Sequence, residues 1–286
     1  MVLDRVPAVT VVSISAAPYD GYEFPRALDS MACCGVRHVE PAFIVGYTEP
    51  FDEATFGAAS ARQHRAWLDA SGLRCHAMSS HIDLGRADAL AVFAGRMEFA
   101  AALGAQVINT NAAAHENEAR FMANIGPLAD RAAALGLAIG LENPGNGEDN
   151  LINDAAEGLA LIDRLGLPSV RLNYDPGNTV SHRPGRIDAA ADAVRALPGC
   201  VHFHLKDVRQ DASGWRFVVP GQGGINCGAI MDALAVRPDL PFAVELPLRM
   251  RRLPDAQPVR ASEPVPLPVI EAAVRDCLAY VRRWVA

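Results

Sequence analysis

Four residues of this chain could together do metal or proton chemistry: Glu142, Asp175, His204 and Glu245. Each stands at the end of an apolar run. Leu137-Ala138-Ile139-Gly140-Leu141 ends on Glu142, and Val170-Arg171-Leu172-Asn173-Tyr174 ends on Asp175. The run from Cys200 to Leu205 carries His204, and Pro241 to Leu246 carries Glu245. A carboxylate at the end of a buried strand stays charged only beside a base or a metal. Three carboxylates and one imidazole are a mostly hard donor set. Mn²⁺ or Mg²⁺ suits it best, with Co²⁺ and Zn²⁺ as alternatives. In His202-Phe203-His204-Leu205-Lys206-Asp207 the two histidines share a face, because the strand period is two. His204 is nearer the open end and is expected to be the ligand. His202 is expected one layer deeper, as a hydrogen-bonded core residue. Asp207 is expected either to orient a neighbour or to be a solvated loop charge.

These residues need a scaffold that brings strand ends together. Val9 to Ser15 reads as a first strand and Phe24 to Cys34 as a first helix, closed by Gly35. Further strands are expected at Val36–Glu40, Leu73–Met78, Gln106–Thr110, a fifth ending at Glu142, Val170–Asp175, Cys200–Leu205 and Pro241–Leu246. Helical patterns separate them, and most stop at Gly. Asp154-Ala155-Ala156-Glu157 is a capping box that opens the helix after Glu142. The last helix is expected over Glu271–Val285. From Glu40 to Glu142, Asp175 and Glu245, the acidic strand ends recur at multiples of roughly 33 residues, as a βα repeat requires. The pattern is an α/β fold: a (β/α)8 TIM barrel in a single domain spanning residues 1–286. In such barrels the active site lies at the carboxyl ends of the strands. No G-x-G-x-x-G follows the first strand, which weighs against a doubly wound open sheet. One segment breaks the rhythm. Residues 247–268 contain Pro247, Pro254, Pro258, Pro264, Pro266 and Pro268, so no helix runs through them. This excursion is long enough to serve function or a subunit interface, which leaves a homo-oligomer open.

Composition narrows the partners. The chain has 286 residues, 50% hydrophobic and 21% charged, with a net charge of −7 and a pI of about 5.6. A nucleic-acid footprint is not supported. No run is long and apolar enough to span a membrane. The mildly apolar run Val6 to Ala17 is β-branched and ends in Pro-Tyr-Asp-Gly, so it reads as a strand and not as a leader. The six cysteines show no C-x-x-C spacing and read as buried free thiols, which implies a reducing, cytoplasmic setting.

Taken together, Leu-Glu-Asn (141–143), Asn-Tyr-Asp-Pro-Gly-Asn (173–178), His-Phe-His-Leu-Lys-Asp (202–207) and Val-Glu-Leu (244–246) resemble the sugar phosphate isomerase/epimerase group. That group belongs to the xylose-isomerase-like TIM-barrel superfamily. The resemblance covers nearly the whole chain, including Gly35-Val36-Arg37-His38-Val39-Glu40. It implies that Glu142, Asp175, His204 and Glu245 are metal ligands. It also implies that Glu148, six residues after the first ligand, contacts the sugar, and that His81 lines the pocket rim. His76, inside its strand, is expected to pack. Many members carry His where this chain has Asn178, and the group's endonucleases need further histidines that are missing at Asn109-Thr110-Asn111. DNA repair is therefore not the expected activity.

Glu40 is expected either to bond a substrate hydroxyl or to pair with a nearby cation, and Lys206 to hold a substrate oxygen. Arg249, Arg251 and Arg252 are expected to border the mouth and recognise an anionic group, or else to be surface charges. The reading is a divalent-metal isomerase or epimerase of a small sugar-like carbonyl compound, with Glu142 and Glu245 as acid and base around an enediolate. Two rivals stand beside it: a dehydratase acting through the same enediolate, and a barrel that binds a sugar without converting it.

Overall fold

The computed structural model describes residues 10–285. Val9 of the expected first strand, and Val6 to Ala8 of the apolar run that leads into it, lie outside them. The first strand is described as Val12–Ser15. Seven more parallel strands follow it around a ring. The second is split into His38–Glu40 and Ala42–Ile44, and the third into Arg74–Cys75 and Ala77–His81. Then come Val107–Asn111, Ala138–Glu142, Val170–Tyr174, Cys200–Leu205 and Phe242–Val244. The eighth pairs with the first, Val12 opposite Phe242, and the sheet closes. The chain is a TIM barrel.

The splits explain why the boundaries differ from those read in the sequence. Pro41 lacks an N–H and interrupts the second strand. The third strand breaks at His76, resumes, and reaches His81, so His81 is a strand residue and does not follow the strand. The sixth ends at Tyr174, and Asp175 caps a short helix, Pro176–His182, that the sequence reading did not contain. The last helix runs Leu267–Val281, earlier than expected, because Pro268 sits in its first turn, where a missing N–H costs nothing. Half of the capping box forms: the Asp154 carboxylate accepts from Glu157 N–H at 2.9 Å, while the Glu157 carboxylate accepts from Asn153 N–H at 2.9 Å, one residue before the cap.

Period two decides which residues face inward. Ile139 and Leu141 are fully buried on the helix side, while Gly140 and Glu142 point into the barrel. A Cβ on Gly140 would meet Asn109 Oδ1 at 2.4 Å and Asn173 Cβ at 3.0 Å. Only glycine leaves room for that interior layer of Asn109, Asn173 and His202, all 0% exposed. Two residues further along each strand come His81, Asn111, Glu142, Asp175, His204 and Glu245. The inner wall is thus a polar stack of two layers directly beneath the carboxyl rim.

A second sheet sits beyond that rim. Asp207–Asp211 continues the seventh strand and turns back as Gly214–Val218, which pairs with Met250–Arg252, and that with Pro258–Arg260. All pairings are antiparallel. The proline-rich excursion therefore supplies two adjacent strands of a small sheet, one inner and one at its edge. Asp207 anchors its root. This carboxylate is fully buried and accepts from the N–H groups of Val208, Gly221, Gly223 and Ile225 at 2.8–3.1 Å. It is no solvated loop charge. Among the described residues no helix is long and apolar enough to cross a membrane. All six cysteines are free; five are buried, and Cys33 is exposed, contrary to expectation.

Gly214 is where the hairpin depends on glycine. Its φ is +116°, and a Cβ there would lie 2.0 Å from the Arg252 carbonyl oxygen. Gly214→Ala is expected to cost about 1–3 kcal/mol and to raise amide hydrogen exchange in Gly214–Val218 and Met250–Arg252. Unchanged exchange in both strands would remove this account of the sheet.

Candidate active site

The four strand-end residues converge. One ligand atom from each of Glu142, Asp175, His204 and Glu245 lies within 4.8 Å of the others. His204 Nδ1 is 3.0 Å from Glu142 Oε2, 3.2 Å from Glu245 Oε2 and 4.0 Å from Asp175 Oδ2. Its other nitrogen, Nε2, donates to Glu40 Oε1 at 2.9 Å. That bond leaves Nδ1 facing the carboxylates, the tautomer a metal-ligating imidazole needs. Glu40 in turn accepts from Ser79 Oγ at 2.9 Å and from Asn109 Nδ2 at 3.4 Å. Glu40 is 0% exposed and does not line the cavity. This corrects the substrate-binding expectation: it sits beneath the cluster, and its partner is the His204 imidazole.

Asp175 divides its oxygens. Oδ1 caps the short helix, accepting from Gly177 N–H at 2.8 Å and Asn178 N–H at 3.2 Å. Oδ2 is left toward the cluster, 2.5 Å from Lys206 Nζ. Lys206 also lies 2.6 Å from Glu245 Oε2. Both carboxylate oxygens stand at ion-pair distance from the lysine yet lack a well-directed hydrogen bond. Asn143 ties the fifth and sixth strand ends together, donating to Asp175 O at 2.9 Å and accepting from Asp175 N–H at 2.8 Å.

Charge sets the protonation states. Burial pushes the Asp175 carboxyl up, to about 6; Lys206 opposes this, and the charges of Glu245 and Glu142 add to it. Burial also works against Glu142 and Glu245, but His204 and His81 hold the first below the usual range, and Lys206 and His204 hold the second well below it. For His204 burial favours the neutral form, but Glu40, Glu142 and Glu245 overcome it and raise the imidazole well above its ordinary value. His202 goes the other way. Burial lowers it to about 3, and it stays neutral, with Nδ1–H donating to Asn173 Oδ1 at 2.9 Å. It is the deeper core histidine expected from the sequence.

The donor set fits a divalent cation. Three carboxylates crowd a buried site, one is forced toward protonation, and buried oxygens of two lack directed partners. A dication would relieve all three conditions.

A cavity of about 340 Å³ opens over the cluster. Of the four clustered residues only Glu142 and Glu245 line it; Asp175 and His204 are 0% exposed behind them. His81, Glu148, Asn178 and Lys206 line it too. His81 Nε2 is 3.5 Å from Glu142 Oε2. Asn178 Nδ2 donates to Glu142 Oε1 and to Asn143 O, each at 3.0 Å. Glu148 is exposed on the rim, its Oε2 accepting from Asn146 Nδ2 at 3.1 Å. His76 is partly buried at the other end of the barrel, in a cavity with His38 and Gln106. The three arginines separate. Arg252 lines the active-site cavity. Arg249 is buried against Asp20 at 3.2 Å and Glu49 at 2.9 Å, and Arg251 lies along a different cavity with Arg216. Neither borders the mouth, because alternate residues of a strand face opposite ways.

Sequence reasoning missed Tyr47, Asn173 and Asn109. Tyr47 sits in the loop after the second strand, where no periodicity speaks. Asn173 Nδ2 donates to Glu142 Oε2 at 2.5 Å. Asn173 and Asn109 stand two residues before Asp175 and Asn111, and the period-two rule applied to His202 would have found them.

This is a (β/α)8 barrel with a carboxylate–imidazole cluster at its catalytic rim. The profile for xylose isomerase-like TIM barrels matches residues 28–262, and the chain belongs to that family. No curated protein matches it in sequence. Solved structures agree on the fold. One is D-psicose 3-epimerase with D-tagatose from Clostridium cellulolyticum H10: TM-score 0.73 and 16% identity, over 96% of this chain and 99% of that one. Another is the probable 3-DHS dehydratase AsbF from Bacillus anthracis: TM-score 0.67 and 14% identity, over 93% and 98%. A xylose isomerase-like TIM barrel protein from Mycobacterium smegmatis, in complex with magnesium, gives TM-score 0.70 and 18% identity, over 97% and 98%.

The loop that carries Glu148 has its own support. His182 Nδ1 accepts from Gly147 N–H at 3.1 Å, and Nε2 pairs with Asn153 Oδ1 at 2.8 Å. Burial, with Arg183 and Arg252, lowers His182 to about 4. A histidine depressed in the folded state stabilises above its unfolded value near 6.5 and loses that contribution as pH falls toward 4. Wild type is therefore expected to lose more stability over this interval than His182→Asn, measured by urea unfolding at both ends. Parallel losses would show that His182 does not titrate there.

Proposed function

We propose that this chain is a divalent-metal-dependent isomerase or epimerase of a small polyhydroxy carbonyl compound. The observation that carries the reading is the division of the cluster. Asp175 and His204 are sealed behind it, while Glu142 and Glu245, each 3% exposed, face the cavity. A cation held by Glu142, Asp175, His204 and Glu245 would polarise a carbonyl group and acidify the neighbouring C–H; Mn²⁺ is the proposed ion. The two cavity-facing glutamates are the groups that take and return the proton. They come from the fifth and eighth strands and so approach from different sides. Taking a proton on one face and returning it on the other epimerises a carbon; returning it to the neighbouring carbon isomerises the substrate. Against burial, cationic neighbours hold both carboxyls below their ordinary range, so each is ionised, the state a base needs.

The remaining residues orient and exclude. Asn173 and Asn178 each hold one oxygen of Glu142. Lys206 holds Glu245 and offers an ammonium group to the cavity. The likeness in fold to a sugar epimerase and to a dehydratase supports carbonyl chemistry at this rim. Loss of water from the product would mark the chain as a lyase.

Metal content tests the ligand set. The purified chain is expected to bind a single divalent ion, and His204→Ala and Asp175→Ala to lose it. Glu40→Gln, which touches the ligand set through His204, is expected to weaken binding roughly 10- to 100-fold. Full metal in both alanine variants would exclude the site.

Deuterium tests the chemistry. In D₂O, with keto-sugars and added Mn²⁺, the wild type is expected to place deuterium on the reacting carbon. Glu142→Gln and Glu245→Gln are each expected to lose about 10²- to 10⁴-fold in rate. Turnover without any uptake would point to a direct hydride shift. Full exchange in a variant that keeps its metal would remove that glutamate from the role.

A further inference from the structure

The same cavity holds a buried cation that the chain does not neutralise. Arg96, Arg249 and Arg252 are the buried arginines among the described residues, at 2%, 5% and 5% exposure. Arg96 forks onto Glu53, with Nε to Oε2 at 3.1 Å and Nη2 to Oε1 at 2.5 Å. Arg249 pairs with Asp20 and Glu49. Arg252 has no carboxylate within 4.0 Å among the described residues. Its Nη1 donates to Ala256 O at 3.0 Å, and its Nε is buried without a partner. A guanidinium cannot shed its proton, so the charge remains.

Its surroundings keep a place open. The guanidinium carbon lies 5.4 Å from the Tyr47 ring centroid. The Tyr47 hydroxyl is likewise buried without a partner. Gly145 lies alongside: a Cβ there would meet Arg252 Nη2 and Asn178 Oδ1, both at 2.9 Å. Arg252 and Tyr47, each with a buried donor that has no partner among the described residues, both line the cavity that Glu142 and Glu245 also line. A neutral hydroxyl would satisfy a hydrogen bond but leave the charge; a planar fork matches a carboxylate or phosphate.

We infer that Arg252 and Tyr47 form an oxyanion subsite, and that the substrate is an acidic or phosphorylated polyhydroxy carbonyl compound. Its anionic group lies against Arg252 Nε and the Tyr47 hydroxyl while its carbonyl end meets Glu142 and Glu245. The inference rests on the isomerase reading for the carbonyl end, and on the unpaired arginine for the charge. The small sheet beyond the barrel rim is what makes it available, since Arg252 is the last residue of the strand Met250–Arg252.

The test is binding, read apart from turnover. A ketohexose, its terminal phosphate ester, the matching keto-hexuronate and inorganic phosphate are titrated into the full chain by calorimetry, with and without Mn²⁺. At least one anionic sugar is expected to bind roughly 10- to 100-fold tighter than the neutral ketohexose. Whichever anion does so separates phosphate from carboxylate recognition. Arg252→Gln is expected to erase the preference, and Tyr47→Phe to reduce it. Arg252→Lys, which keeps the charge and loses the fork, is expected to fall between and serves if the glutamine variant unfolds. Equal binding of neutral and anionic probes, or no binding of any anion, overturns the subsite. So does a preference that survives both Arg252 variants. Anion binding without any turnover would keep the subsite and remove the isomerase reading instead.

Discussion

Three buried carboxylates are held within a few ångströms of one another. Glu142, Asp175 and Glu245 repel each other strongly there, since burial weakens the screening that separates such charges in solvent. Most of the barrel's upper half makes this arrangement tolerable. His204 sits among them with its far nitrogen on Glu40. Lys206 bridges Asp175 and Glu245. Removing any one cation would leave a buried charge uncompensated, which is the costly case for buried ion pairs.

The layer below follows from that requirement. A barrel interior is usually filled by branched apolar residues. Here it holds Asn109, Asn173, His202, Ser79 and Glu40, all 0–1% exposed. Amides suit the position because each can donate to a carboxylate and accept from an imidazole at once. Asn173 does both, donating to Glu142 and accepting from His202. Gly140 gives up its side chain so that the amides can meet. The apolar core is displaced outward, between the strands and the helices, where Phe93, Phe99, Phe121 and Met97 are fully buried.

Above the rim, the chain departs from a plain barrel. The hairpin Asp207–Val218 and the excursion after the eighth strand meet as one four-stranded sheet. Asp207 fixes its root through four backbone N–H groups, and Arg249 fixes its flank on Asp20. The sheet therefore stands on buried charges of its own, and it delivers Arg252 to the cavity. Glu142 and Glu245 occupy the floor and Arg252 the wall, so reaction and recognition come from separate parts of the chain.

The sequence by itself determined the barrel, the strand on which each cluster residue rides, and the inward face of His202 and His204. Those follow from local rules: a strand alternates, a helix stops at glycine, and a βα unit has a nearly fixed length. The same rules contained Asn173 and Asn109, two residues before strand ends already in view. What the residues around Glu40 would be was not legible, because its partner His204 lies far away in sequence. Spacing could set Arg252 and Arg249 on opposite faces, but it could not say which would be paired: Asp20 and Glu49 reach Arg249 and not Arg252. The proline-rich segment announced that it was no helix, but its pairing with Gly214–Val218 joins two distant loops, and no local pattern encodes a partner. Only the tertiary structure decided which charges are paired and which are left over. That is set by three-dimensional distance and by the exclusion of water, and neither is written in the order of residues along a strand.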